Sequence, residues 1–442
     1  MRVSKYTIYE IILFHIFAAA YALSFLHKDE WQVTILLFLL IAALMGLEYL
    51  RTHLFVSPLF FWYAFWLGAI SLGRMDLNLY PFYQTWSVPL LKTILFNTLI
   101  FFWVYWLGEL SGGNSVLLDR RSVEIKLSDR YFPEIVLFVL LLSCLAFVLN
   151  VIYTGCVPQL TEDPNAYRAQ FVMTPFYKVV NFSRFIFACV PLALKSEKNK
   201  IKKISILVFS IIALSEEMLS GWRTYTMQAL ILLMTSFFII SDVKSGKNRI
   251  KNLRLVLLAA AAAVCFIGYI AVTRDRVTGA LKEKINYLLY SIDMYIAPNF
   301  LNFQSAMDSV EPLNKALYST VAFWSFLPHA DSIMAALPEI DQSIGAFNVS
   351  TYLLQPYADY GLSGTLACSA VIAFLAGFSF KTCLTKKTVL SVVLLGTINI
   401  VIFLMHNNLF LRASSILMWM VLGAIMSRYL SVKGFRHGKT VL

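Results

Sequence analysis

The sequence predicts an all-α polytopic membrane protein of about twelve transmembrane helices, with both termini in the cytoplasm. Three observations predict it. Of 442 residues, 59% are hydrophobic and 14% are charged, against about 25% charged in soluble domains. Apolar runs of membrane-spanning length recur along the whole chain. Between them, lysine and arginine collect in alternate connections, which is how a membrane protein sets its orientation.

A helix rises 1.5 Å per residue, so about twenty apolar residues cross a ~30 Å hydrocarbon core. The runs at 7–25, 33–50, 57–73, 89–110, 133–153, 179–194, 204–219, 226–241, 254–273, 361–380, 388–406 and 413–430 approach or reach that length. In hydrocarbon each backbone N–H and C=O must pair internally, so these runs are helices. Barrel strands would be about half as long and would alternate polar with apolar residues. The first run follows Arg2 and Lys5 and contains Ala20-Tyr21-Ala22, which has the form of a signal-peptidase site. Apolar residues continue to Leu26, so an uncleaved signal anchor fits better. The six cysteines, four within runs and Cys156 and Cys383 in connections, predict neither a disulfide framework nor a thiolate metal site.

A cytoplasmic N-terminus places the connections around Arg51, 111–132, 195–203, 242–253, 381–387 and the C-terminal tail on the same side. With the N-terminus they hold most of the 37 lysines and arginines. Lys195, Lys198, Lys200, Lys202 and Lys203 fill one connection; Lys244, Lys247, Arg249 and Lys251, then Arg254, fill another. Orientation therefore accounts for the net charge of +12, and no nucleic-acid partner is predicted. The outward connections are 74–88, 154–178, the SGWRTY turn at 220–225, and the longest, 274–360. Function is expected in a loop of that length among short ones. The chain divides accordingly into 1–273, the helices before the loop with the 154–178 connection; 274–360, the large outer loop; and 361–442, the remaining helices and tail.

The outer face carries Arg168 in PNAYRAQF, Arg223 in SGWRTY, and Arg274 and Arg276 in TRDRVTG, then Lys282 and Lys284. Cations here run against the orientation bias. The planar guanidinium fork suits phosphate oxygens, so as a group they predict an anionic ligand, although each alone suits a solvated or snorkelling role. After Arg276, Leu281, Ile285, Leu288, Leu289, Ile292 and Ile296 recur at helical steps. They predict a helix lying in the interface or packed on the outer ends of the bundle. Further on, aromatics and prolines accumulate with His329, Asp331, Asn348, Tyr357 and Asp359. Aromatic faces beside polar groups suit a sugar, and they equally suit a membrane-interface belt.

VPQLTEDPNAYR in one outer loop, LSGWRTYTMQALIL at the helix-turn-helix arginine, FLP in the long loop and NVSTYLLQPYADYGLSG at its end carry a family resemblance. The chain resembles the Wzy-type oligosaccharide repeat-unit polymerases of bacterial surface polysaccharides, loosely over 154–364 and most specifically in the last segment. The resemblance implies a GT-C-like, inverting, metal-independent glycosyltransferase of the bacterial inner membrane that needs no cofactor and works at the periplasmic face. It would transfer a growing glycan from one undecaprenyl-pyrophosphate carrier to a repeat unit held on another, building O-antigen or a related polysaccharide. Its partners would be that lipid-linked oligosaccharide, membrane lipid, a chain-length regulator and a flippase.

The resemblance also implies that two arginine-bearing periplasmic loops bind the anionic carrier. Arg168 matches the first, and Arg274 or Arg276 stands at the start of the second, without the RX10G spacing of some members. Arg223, Asn348, Tyr352 and Tyr357 complete the implied binding set. After FLP, where relatives often have arginine, this chain has His329. A glycosyl pyrophosphate has its own leaving group, so the protein need only orient substrates, neutralise phosphate charge and accept a hydroxyl proton. The sequence shows no P-loop, no Asp-x-Asp pair and no histidine cluster. For the base the order is Asp359, His329, Asp331, then Glu216 and Glu217, which need a partner within the membrane; Arg223, seven and six residues on, is the alternative to a ligand role there. A lipid-linked glycan ligase shares carrier and face, and a transporter or flippase of the repeat unit shares the span count. A transporter should show related halves and polar or interrupted helices at the midplane; here the charged residues gather at the expected outer face, one loop dominates, and the two halves show no convincing repeat.

Overall fold

The structure, a computed structural model, describes residues 5–24, 31–73, 86–112, 131–241, 296–320, 350–386, 388–407, 416 and 418–426. Their regular elements are helices: α1 (Lys5–Leu23), α2 (Trp31–Thr52), α3 (Pro58–Leu72), α4 (Val88–Ser111) and α5 (Phe132–Thr154). Then come α6 (Pro164–Met173), α7 (Pro175–Ser183), α8 (Val190–Ser196), α9 (Lys200–Leu219) and α10 (Arg223–Ile240). Beyond them lie α11 (296–309), α12 (Leu354–Lys386) and α13 (Val389–Phe403).

Side-chain caps start several of these helices where the sequence supplies Ser, Thr or Asn, often before proline. Ser57 Oγ accepts from Phe60 N at 3.2 Å, Ser87 Oγ from Leu90 N at 3.3 Å, and Thr174 Oγ1 from Tyr177 N at 3.1 Å. Asn199 Oδ1 caps α9 through Ile201 N at 2.9 Å.

Among the described residues, α1, α2, α4, α5 and α12 are long and apolar enough to cross a membrane. α7 and α8 with the turn between them make a sixth if counted as one bent span. The straight helix expected at 179–194 is broken. A 3-10 turn, Arg184–Ala188, separates α7 from α8, and the pair bends by 51°. Pro191 has no N–H for the helix ladder, and Arg184 turns inward to meet its partners, so the sequence bends there. The run at 57–73 forms α3 with a π-helical segment, Tyr63–Leu67. The run at 254–273, most of the 281–296 helix and the greater part of 274–360 lie outside the described residues.

The chain forms two compact units. The first comprises 1–117, 278–381 and 401–414; the second comprises 118–277, 382–400 and 415–442. In the first, Phe14 stacks on Phe102 at 3.8 Å and Trp62 on Phe101 at 4.5 Å. α4 and α12 meet backbone to backbone. A Cβ on Gly377 would lie 2.1 Å from Tyr105 O, and one on Gly108 would lie 2.2 Å from Phe374 O, so only glycine fits this crossing. At one end of α1, α2 and α4, Arg51 joins Glu48 at 2.7 Å, Glu109 at 2.9 Å and Glu10 at 3.4 Å, over the ring of Trp106. Tyr63 donates to Glu10 at 2.9 Å.

In the second unit, Ala146, Phe147, Phe171, Tyr177 and Val180 form an apolar core between α5, α6 and α7. Asn150 ties the 154–178 connection to it, donating to Phe171 O at 3.0 Å and accepting from Thr174 Oγ1.

Candidate functional site

The site in the second unit is built from a buried arginine outward. Arg184 is 1% exposed. Its Nε donates to Glu217 Oε1 at 2.7 Å and its Nη2 to Glu217 Oε2 at 2.9 Å, a two-pronged bond. Nη1 donates to Asn181 Oδ1 at 2.7 Å and to Gln228 Oε1 at 2.8 Å. Tyr177 OH adds a hydrogen bond to Glu217 at 3.3 Å, and Trp419 Nε1 donates to Asn181 O at 2.8 Å. A buried charge must be paired in this way to persist. Arg184 thus joins α7, α9 and α10.

Aromatic rings carry the construction outward. The Arg184 guanidinium lies 4.2 Å from the Tyr225 ring centre, Tyr225 stacks on Trp222 at 5.5 Å, and the Arg168 guanidinium lies 5.1 Å from the Trp222 ring. Cations over tyrosine and tryptophan faces are attracted by the ring quadrupole. The SGWRTY turn makes this approach possible. Ser220 ends α9, Gly221 takes φ +78, which L side chains rarely adopt, and Arg223 begins α10. Pro158, Gln159 and Arg168 pack against that turn, with the Arg168 Cβ 3.9 Å from where a Gly221 Cβ would lie. The fold therefore brings the VPQLTEDPNAYR segment onto the SGWRTY turn, although 53 to 63 residues separate the contacting positions from Gly221 in sequence.

The model of the family O-antigen polysaccharide polymerase Wzy matches residues 6–343. The chain belongs to the Wzy O-antigen polysaccharide polymerase family. No curated protein and no solved structure matches it. The family match takes in Arg168, Arg223, Arg274, Arg276, His329 and Asp331, whereas Asn348, Tyr352, Tyr357 and Asp359 lie beyond it.

Of the residues singled out in this Wzy-family chain, Arg168 and the start of α10 at Arg223 come together in the second unit. Arg274, Arg276, His329, Asp331 and Asn348 lie outside the described residues. Tyr352, Tyr357 and Asp359 belong to the first unit. Tyr352 is fully buried; its OH pairs with Ser369 Oγ at 2.6 Å, and Ser369 donates to Asn97 at 2.6 Å. Tyr357 OH donates to Met307 O at 3.4 Å and meets Phe303 edge-on.

Asp359 is fully buried just before the break at Tyr360 and Gly361 in α12. Its oxygens accept from the amides of Leu317 at 3.0 Å, Tyr318 at 2.9 Å and Ser319 at 2.8 Å, and from the Ser319 hydroxyl. Burial, with this carboxylate nearby, holds the Tyr318 phenol above its ordinary range, so it stays a neutral donor.

Sequence reasoning missed Arg184. Its signal was available, as an arginine inside the apolar run 179–194. For the carboxylate pair Glu216-Glu217 the sequence offers Arg223 as a partner, in place of a ligand role for that arginine; Glu217 instead has both oxygens on Arg184. Farther along α8, α9 and α10, a cavity of about 460 Å³ is lined by Phe187, Leu194, Leu207, Ile211, Leu233 and Phe237 among others. This apolar wall suits a hydrocarbon chain and leaves glycan hydroxyls unpaired.

Proposed function

We propose that the protein joins undecaprenyl-pyrophosphate-linked oligosaccharide repeat units into O-antigen or a related surface polysaccharide at the periplasmic face of the inner membrane. The observation that carries this reading beyond family membership is Arg168 laid over Trp222, one residue before Arg223, at the mouth of α9 and α10. In this reading the Arg168 guanidinium and the arginine that opens α10, on separate segments, are together the cationic mounting for a pyrophosphate. The orientation that places this mouth outside the cytoplasm follows from the basic loops, with about twelve spans and both termini inside.

In the proposed reaction an acceptor hydroxyl oxygen attacks the anomeric carbon of the donor glycan from the face opposite the pyrophosphate. The new glycosidic bond forms, the carbon–oxygen bond to pyrophosphate breaks, and undecaprenyl pyrophosphate leaves with the bonding pair. The anomeric configuration inverts. Arg168 and Arg223, joined by Arg274 or Arg276, neutralise the phosphate charge, and a base takes the hydroxyl proton. Because Asp359 already accepts hydrogen bonds from the 317–319 turn, His329 and Asp331 precede it as base in this proposal. Aromatic and polar residues of the long loop, with Asn348 and Tyr357 among them, hold the sugars.

The test is deletion of the gene in its host, with wild type, Arg168→Ala and Arg223→Ala restored separately and surface polysaccharide run on a gel. Wild type should restore a ladder, and each variant should leave a single added unit while the protein remains in the membrane. A normal ladder from the deletion would refute the proposal. Loss of every added unit would indicate a ligase or flippase instead.

A further inference from the structure

We infer that Arg184, locked by Glu217, is a positioning residue that sets carrier affinity through Tyr225 and Trp222 without touching the carrier; the inference rests on the polymerase reading above.

The contacts run in one sequence from the buried pair to the mouth. Glu217 holds two edges of the Arg184 guanidinium at 2.7 and 2.9 Å, which fixes its plane. Tyr225 lies 4.2 Å from that guanidinium, and Tyr225 and Trp222 stack within 22° of parallel. Trp222 is then the platform beneath Arg168 and the residue from which the chain enters α10 at Arg223. Gln228, one turn below Tyr225 on the same helix, also accepts from Arg184. The first two turns of α10 are therefore held to Arg184, the first by a ring contact and the second by a hydrogen bond.

Such a device answers a specific need. Arg168 and Arg223 belong to different segments, and a pyrophosphate is clamped well only if their separation is fixed before it arrives. An ordinary apolar core would hold the helices together, but it would not fix the rotation of the Trp222 ring. A planar fork on a carboxylate does so through Tyr225, because the guanidinium has one orientation relative to Glu217. Lysine would keep the charge and lose that orientation.

The test uses full-length protein in nanodiscs and lipid-linked repeat units extracted from a host lacking this gene, with chain growth followed against substrate concentration. Arg184→Lys and Tyr225→Leu are each expected to raise KM roughly five- to tenfold with kcat largely kept. Tyr225→Phe should retain the wild-type KM. The double variant Arg184→Lys/Tyr225→Leu should be no worse than the weaker single variant, because both break the same sequence of contacts. An unchanged KM in folded Arg184→Lys and Tyr225→Leu, or effects that simply add, would overturn the inference and leave the polymerase reading standing. If Arg184→Lys does not fold, the comparison of Tyr225→Leu with Tyr225→Phe decides, since the Arg184–Glu217 pair is intact in both. Wild-type protein that extends no chain would refute the polymerase reading itself.

Discussion

Asp359 receives both the amide hydrogen and the hydroxyl hydrogen of Ser319, and so ties the end of the 310–320 segment to the first turns of α12. Removing it by Asp359→Ala leaves the amides of Leu317, Tyr318 and Ser319 without their acceptor, at a cost of about 1–3 kcal/mol for each buried donor that water does not reach. Limited proteolysis should then cut within 310–320 faster than in wild type, and Asp359→Asn should be intermediate. If Asp359→Asn instead abolished chain growth while 310–320 stayed protected, Asp359 would be the base and not the tether.

Stability and affinity should separate at the buried pair in the second unit. Glu217→Leu leaves the Arg184 charge without its counter-ion, which costs about 3–5 kcal/mol. Arg184→Met/Glu217→Leu removes both charges and should recover most of the melting temperature in detergent. Its KM for the lipid-linked unit should stay high, because the oriented guanidinium is gone.

Arg51 is the cation shared by Glu10, Glu48 and Glu109 in the first unit. Arg51→Met should lower the melting temperature by the equivalent of about 3–5 kcal/mol, while Glu109→Gln should be milder, since Arg51 keeps Glu48 and Glu10. Fluorescence-detected size exclusion would compare the folded yields. A wild-type profile for Arg51→Met would show that the cluster does not hold α1, α2 and α4 together.

The α4–α12 crossing makes a sharper prediction about space. Gly377→Leu would place its Cβ 2.1 Å from Tyr105 O, a backbone atom that cannot step aside. The variant should yield little folded protein, whereas Gly46→Ala, with nothing within 4 Å of the added carbon, should behave as wild type.

Orientation is open to a direct check. A single cysteine introduced at Lys198, in the basic connection before α9, should react with membrane-impermeant maleimide only after the cells are opened. One introduced at Glu162 should react in intact spheroplasts. The reverse pattern would place the SGWRTY turn in the cytoplasm and remove the periplasmic reading.

The sequence was most informative where one local property decides the structure. Apolar length located α1, α2, α4, α5 and α12, and Gly221 marked the turn between α9 and α10. It was least informative where a polar side chain finds its partner far along the chain. Nothing near Asp359 announces the 317–319 amides some forty residues earlier. Nothing near Glu217 announces Arg184, which was passed over as part of an apolar run although a charge in such a run requires a partner. Proximity in sequence offers Arg223 for that role. The fold instead brought α7 beside α9.

The two units are interleaved along the chain, and this governs how the protein can be made. Residues 1–117 of the first unit leave the ribosome long before 401–414, and at cellular elongation rates the interval is on the order of tens of seconds. The second unit likewise waits for its closing stretch after residue 415. Early helices must therefore persist in the bilayer half-assembled, with polar groups such as Asn97 awaiting Thr365 and Ser369. A nonsense mutation near residue 400 would leave both units incomplete at once, and expressing residues 1–277 alone would yield neither.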